Sequence, residues 1–200
     1  MKKKSSNALS VTIKIAILGT VAAVVMLLEF PLVFIAPSFY ELDFSEVIVL
    51  LGGFALGPVP AMAIEAVKIA VNLLIGGSHT VGVGELANFL IGCSFVVPAS
   101  IIYKYNKTKK GAVIGMLVST ISMVAVGCVL NAFVLLPFYS KAYGMPIDAF
   151  IQMGTAINSH VNNIFTFVLI TVAPFNLIKC ILTSIIILPV YKRVSPILKK

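Results

Sequence analysis

Tyr103-Lys104-Tyr105-Asn106-Lys107-Thr108-Lys109-Lys110, residues 103–110, is a lysine-rich break between two long apolar runs. Gly84 to Tyr103 precedes it and Gly111 to Pro137 follows it. Each run is long enough to cross a hydrocarbon core as a helix, which takes about 20 apolar residues. Lysines at the end of such a run mark the cytoplasmic side of a membrane. Two more clusters have the same character. Lys2, Lys3, Lys4 and Lys14 open the chain, and Lys192, Arg193, Lys199 and Lys200 close it. The three clusters hold 12 of the 15 Lys and Arg residues. They share one side only if an even number of crossings separates each from the next.

Working outward, the remaining apolar runs satisfy that condition. The reading is an all-α integral membrane six-helix bundle with both termini cytoplasmic, its spans at about 9–30, 45–56, 61–75, 84–103, 111–137 and 171–191. The chain of 200 residues is 60% hydrophobic and 11% charged. Its mean hydropathy is +1.08. A soluble domain is nearer half apolar and a quarter charged, so a cytosolic enzyme is excluded. The placement of the +8 net charge excludes nucleic acid as a partner and leaves membrane lipid. The first run, Ala8 to Leu28, is longer than a signal-peptide core and reads as an uncleaved span. All 200 residues then form one transmembrane bundle. Spans two and three are short, and either lie inside the bundle or sit where the bilayer thins. Pro146 to Ile157, in the exterior segment after span five, reads as a surface helix. No internal repeat is evident, against common secondary-transporter designs.

Several chemistries are missing. There is no G-x-x-x-x-G-K-[ST] loop and no H-E-x-x-H. Cys93, Cys128 and Cys180 lie in apolar runs without C-x-x-C spacing and read as core. His79 and His160 fall in separate loops, and Ser159-His160 lacks a G-x-S-x-G elbow. No catalytic residue, metal or cofactor is expected.

What remains is polar residues inside spans, which are costly there and need a partner or a task. Glu85 and Asn88 share one face at the start of span four by their i,i+3 spacing, where Glu85 alternatively serves as a helix-end carboxylate. Asn131 lies within span five, as a ligand group or an interhelical hydrogen-bond partner. Asn176 and Lys179 share a face near the outer end of span six, where a lysine opposes the positive-inside trend; snorkelling is its other explanation. Glu65, Lys68 and Asn72 form a stripe on span three, with Glu65 and Lys68 expected to neutralise each other. The exterior loop Phe39-Tyr40-Glu41-Leu42-Asp43-Phe44 anchors at the interface through its aromatics or forms a lid over a flat aromatic ligand. Glu85, Asn88, Asn131, Asn176 and Lys179 all fall in the outer half, so with Phe39, Tyr40, Leu42 and Asp43 they enclose one cavity. Amides there suit a planar heterocycle with a polyhydroxyl tail. Span one carries small residues at Ala16, Gly19, Thr20 and Ala23, for packing within the bundle or for docking another membrane subunit.

Certain strings go further: Leu28-Glu29-Phe30-Pro31-Leu32, Asp43-Phe44-Ser45, Leu51-Gly52-Gly53-Phe54-Ala55-Leu56-Gly57-Pro58, Gly84-Glu85-Leu86-Ala87-Asn88-Phe89, Leu130-Asn131 with Leu135-Leu136-Pro137, and Pro174-Phe175-Asn176-Leu177-Ile178-Lys179. In this order they resemble the riboflavin-specific substrate-binding subunits of energy-coupling factor vitamin transporters, over nearly the whole chain. The resemblance implies a six-helix subunit in a bacterial cell membrane that takes riboflavin from outside. It implies that Leu42, Glu85, Asn88, Asn131, Asn176 and Lys179 surround the isoalloxazine ring. It further implies a transmembrane coupling protein and two ABC-type ATPases as partners. Span one departs from the family's A-x-x-x-A docking pattern: Ala16 is followed by Thr20, and Gly19 by Ala23. The rival readings are the same architecture for another vitamin, and a small intramembrane enzyme using Glu65, Lys68 or His160.

Overall fold

The computed structural model describes residues 2–199 apart from residue 79, and side chains only within residues 9–194. His79, Lys200 and the side chains of Lys2, Lys3, Lys4 and Lys199 therefore lie outside the described part.

Helix α1, Lys2–Met26, leads into a two-stranded antiparallel hairpin, β1 at Phe30–Pro31 and β2 at Glu41–Leu42. The sequence predicts that span one reaches residue 30, but the helix ends earlier. The Pro31 ring would collide with the Leu27 carbonyl four residues back, and the residue before a proline is driven extended. Phe30 therefore enters a strand opposite Leu42.

Helix α2, Ser45–Leu56, follows. Phe44 precedes it without a side-chain cap, and the start is served from one residue further back. Asp43 Oδ1 accepts the Ser45 N–H at 2.7 Å, satisfying one of the orphan donors of the first turn. Helix α3 begins at Pro58 and runs to Gly76. The turn is thus Gly57 alone, whose φ of +104° suits glycine. Pro58 takes the first helical position, where a missing N–H costs nothing.

Helices α4 (Val83–Tyr105) and α5 (Lys109–Leu130) flank the lysine loop. From α5 the helix continues through a π-helical turn, Asn131–Leu135, into α6, Leu136–Ala142. Helix α7 is Ile147–Thr155 and α8 is Ile164–Phe167; a second π turn, Val168–Val172, joins α8 to the last helix, α9, Ala173–Lys199. The final helical run thus begins seven residues before the expected position 171.

Five runs are long and apolar enough to cross a membrane: Leu9–Met26, Pro58–Gly76, Val83–Tyr105, Lys109–Ala142 and Ile164–Val194. Helix α2 is shorter, and its place explains why. It packs against α1, α3, α4 and α9, and residues from Ser45 to Phe54 are buried with few exceptions. A helix surrounded by helices does not have to match the lipid thickness. The outer helices do face lipid: Ile13, Ile17, Leu74, Leu117, Ile121 and Ile185 are exposed.

The core has two characters. At the lysine-loop end, Phe54, Tyr103 and Tyr191 form an aromatic trio with ring centroids 4.5–5.6 Å apart. At the hairpin end the core splits into two smaller clusters, one around Leu42, Ala36 and Phe175, the other around Phe150, Phe167 and Leu136. The space between these clusters holds the polar residues.

Candidate functional site

Both π turns stand at this end of the bundle. Each is followed, two residues on, by a proline: Pro137 after Leu135 and Pro174 after Val172. A proline inside a helix lacks its N–H and crowds the carbonyl four residues back. A widened turn with i→i+5 bonding absorbs that crowding. Leu136 N–H reaches Asn131 O, and Ala173 N–H reaches Val168 O. Asn131 opens the first widened turn, and Asn176 stands four residues beyond the end of the second. Asn131 Nδ2 donates to Gly127 O at 2.8 Å, and Asn176 Nδ2 to Val172 O at 3.0 Å. One N–H of each amide is thus bound to its own helix, which fixes the direction of the rest. Gly127 is needed here, because a Cβ would lie 2.8 Å from Asn176 Nδ2.

The loop after β1 closes over the amides. Tyr40 hydroxyl donates to Asn131 Oδ1 at 2.5 Å. The Tyr40 ring lies 5.6 Å from Phe175 and 4.6 Å from Phe39, and Phe39 meets Phe150 edge-on at 6.0 Å. Burial pushes the Tyr40 phenol up, so it stays a donor at any ordinary pH. Lys179 Nζ donates to Asp43 Oδ2 at 2.8 Å, both groups buried. Burial alone would raise the Asp43 carboxyl. The Lys179 ammonium, the Lys68 ammonium and the Ser45 N–H overcome it and hold Asp43 below the usual carboxylate range. The pair anchors the loop to α9 and the start of α2 in one bond network.

A cavity of about 170 Å³ lies among these groups, lined by Phe39, Tyr40, Asp43, Asn88, Asn131, Asn176 and Lys179 among others. A wider vestibule of about 470 Å³ adjoins it. Phe39, Asn88, Tyr139, Glu29 and Glu41 line both. Glu85 lines only the vestibule, where Thr80 Oγ1 donates to its carboxylate at 2.8 Å. Leu42 lines neither; it is fully buried behind the loop, against Ala36 and Phe175.

Glu29, Glu41, Tyr139 and Phe175 are among the lining residues that sequence reasoning missed. Glu29 reads as the end of a span and Glu41 as a loop carboxylate, yet both line the mouth, and the two carboxyl groups lie close enough to interact. Glu29 is pushed up to about 7, by loss of hydration and by the neighbouring Glu41 and Asp43 carboxylates. Tyr139 and Phe175 carried no signal beyond an aromatic in an apolar run.

The stripe on span three divides: Asn72 lines the vestibule, while Glu65 and Lys68 point elsewhere. Lys68 meets Glu65 at 2.7 Å as expected, but also Glu46 of α2 at 2.8 Å. All three are buried and line neither cavity. His160 lies on an exposed loop, where its ring and backbone N–H both meet Asn158 Oδ1. The α1 small residues divide. Gly19 and Ala23 are buried, and a Cβ on Gly19 would come within 2.5 Å of Val67 Cβ in α3. Ala16 and Thr20 are exposed. Among the described residues no group of three or more His, Cys, Asp or Glu is placed to hold a metal.

The profile of the family described as "ECF transporter, substrate-specific component" matches residues 11–191. The chain belongs to that family. It is 35% identical over 188 residues to the riboflavin transporter RibU of Staphylococcus aureus (strain TCH60), covering 94% of this chain and 92% of that one. It is 28% identical over 183 residues to the riboflavin transporter FmnP of Bacillus subtilis (strain 168), covering 91% and 90%. A solved structure of the S component of a bacterial ECF transporter superposes with a TM-score of 0.71 at 35% identity, over 95% of this chain and 98% of that one. This substrate-specific component is accordingly a multi-pass membrane protein and not an enzyme, and it is one part of a transporter with further components.

Proposed function

We propose that this chain is the riboflavin-capturing subunit of its transporter. The observation that carries the reading is the meeting of Asn88, Asn131, Asn176 and Lys179, from three separate helical runs, with the Phe39–Asp43 loop around one cavity. Amides offer donor and acceptor together, matching the mixed edge of an isoalloxazine ring. Tyr40, Phe39 and Phe175 offer flat apolar faces. The adjoining vestibule, with Glu85, Asn72 and Thr80 on its wall, suits the hydroxyls of a ribityl chain. Tyr40 hydroxyl donates to Asn131 Oδ1, so entry of the ring exchanges that bond for one to the ligand. Leu42 acts from behind, keeping the loop seated.

In this reading the cavity opens to the exterior, six crossings place both termini in the cytoplasm, and the lysine loop obeys the positive-inside rule. The chain has no nucleotide-binding motif, so a transmembrane coupling protein and two ABC-type ATPases supply the energy. Docking uses the exposed row of Ala16 and Thr20 on α1, while Gly19 and Ala23 hold α1 against α3. Leucine at Ala16 then abolishes uptake and spares ligand binding.

The primary test is purification followed by an absorbance scan and titration with riboflavin against a panel of other vitamins. A co-purified flavin, or tight and selective binding of added riboflavin, is the expected result. Binding of a different vitamin, or of none, refutes the proposal.

A further inference from the structure

We propose that the sealed Glu46–Lys68–Glu65 cluster holds one bound proton, carried by Glu65. The charge inventory comes first. The buried charged side chains among the described residues are Asp43, Glu46, Glu65, Lys68 and Lys179. Three carboxylates face two ammonium groups, leaving one negative charge without a partner in a low-dielectric interior. Such a charge is neutralised by taking up a proton in preference to being kept.

Geometry selects the carboxylate. Asp43 is matched by Lys179 at 2.8 Å and by the Ser45 N–H at 2.7 Å. Glu46 accepts a well-aligned hydrogen bond from Lys68 Nζ at 2.8 Å. Glu65 Oε1 lies 2.7 Å from the same nitrogen, but off the line of a hydrogen bond, and neither of its oxygens has a hydrogen-bond partner. Glu46 also stands in the first turn of α2, where the helix dipole favours an anion. Glu65 stands mid-helix in α3 and has no such help. Gly92 of α4 makes the room: a Cβ there would overlap the Glu65 carboxylate and come within 2.9 Å of Glu46 Oε1. Beside Gly92, the neighbouring Cys93 is the titratable group that α4 presents to the pair; α9 presents Lys179, and the loop before α2 presents Asp43.

A proton fits where a metal ion does not. The open oxygens in the cluster are Glu46 Oε2 and both oxygens of Glu65, too few for the oxygen shell of a hard cation. Neither cavity reaches them.

The test uses the purified full-length chain without ligand and is independent of what it transports. Infrared spectra near neutral pH should show the carbonyl stretch of a neutral carboxyl group. Glu29, pushed up to about 7, contributes to such a band itself, so the comparison is made in Glu29→Gln: the band should be present in Glu29→Gln and lost when Glu65→Gln is added to it. Glutamine copies a protonated glutamate, so Glu65→Gln should fold and melt within about 3 °C of the parent chain. Four results each overturn the proposal: no neutral carboxyl band in Glu29→Gln, a band that survives in the double variant Glu29→Gln with Glu65→Gln, a Glu65→Gln chain that fails to fold or melts far lower, or a melting temperature that rises when choline is replaced by sodium at equal ionic strength.

Discussion

Two buried ionic clusters sit close together in this bundle, and they are built in opposite ways. Asp43–Lys179 joins a loop to the last helix and forms part of a cavity wall. Glu46–Lys68–Glu65 joins α2 to α3 and touches neither cavity. A buried ion pair is poor at adding stability, because desolvation of both partners offsets their attraction. The wall pair therefore makes sense as a means of positioning. It fixes a loop that forms part of the cavity wall, and it leaves an ammonium at the cavity edge. The sealed cluster holds a short inner helix in register against its neighbour, where apolar packing alone would let α2 slide.

That contrast can be broken by substitutions in each cluster. The largest effect is expected from Lys68→Met, which strands Glu46 as an unpaired buried anion. The loss of stability should be about 3–5 kcal/mol, read as a fall in melting temperature. The fraction that folds should bind riboflavin within about twofold of the parent. If affinity collapses instead, the sealed cluster belongs to the binding site and the distinction fails.

Lys179→Met comes next. It removes a donor from the cavity and leaves Asp43 without its counter-charge. Riboflavin affinity should fall by about 2–3 kcal/mol, measured by quenching of flavin fluorescence. Adding Asp43→Asn should restore much of the melting temperature but not the affinity. Recovery of both would make Lys179 a purely structural partner.

The smallest effect concerns the mouth. Glu29 is raised from its ordinary 4.5 to about 7, so the folded chain favours its protonated form. Its stabilising contribution is complete below about pH 4.5 and is lost as pH rises through about 7. Glu29 is exposed, and screening keeps the effect under about 1 kcal/mol. Hydrogen exchange at Glu41 and Leu42 should therefore quicken between pH 5 and 8 beyond the intrinsic trend, and Glu29→Gln should remove the excess. An unchanged excess in the variant would assign it to another group.

Much of the cavity was legible beforehand, for a physical reason. An amide or ammonium inside an apolar run stands out because burying it is costly. That signal found Asn88, Asn131, Asn176 and Lys179. It located Glu85 at the right end of the bundle but could not separate vestibule from inner cavity. It said nothing of Leu42, which carries no polar mark and entered through the family resemblance; that residue packs behind the loop, outside the cavity lining. It had no hold on Glu46, which reads as an ordinary helix-start carboxylate until α3 brings Lys68 against it. The α1 stripe was likewise ambiguous: small residues at helical spacing fit two faces, and contact with Val67 assigns Gly19 to the inner one.

Composition and periodicity by themselves determined that the chain spans a membrane in several helices, which runs are long enough to do so, and at which end the polar residues gather. These are one-dimensional properties, set by the cost of moving each residue from water to lipid. The tertiary structure alone decided which carboxylate meets which lysine, where prolines widen the helices, and which face of α1 remains open. Those outcomes depend on distances between residues far apart in the chain, 136 positions in the case of Asp43 and Lys179, and no local pattern encodes such a distance.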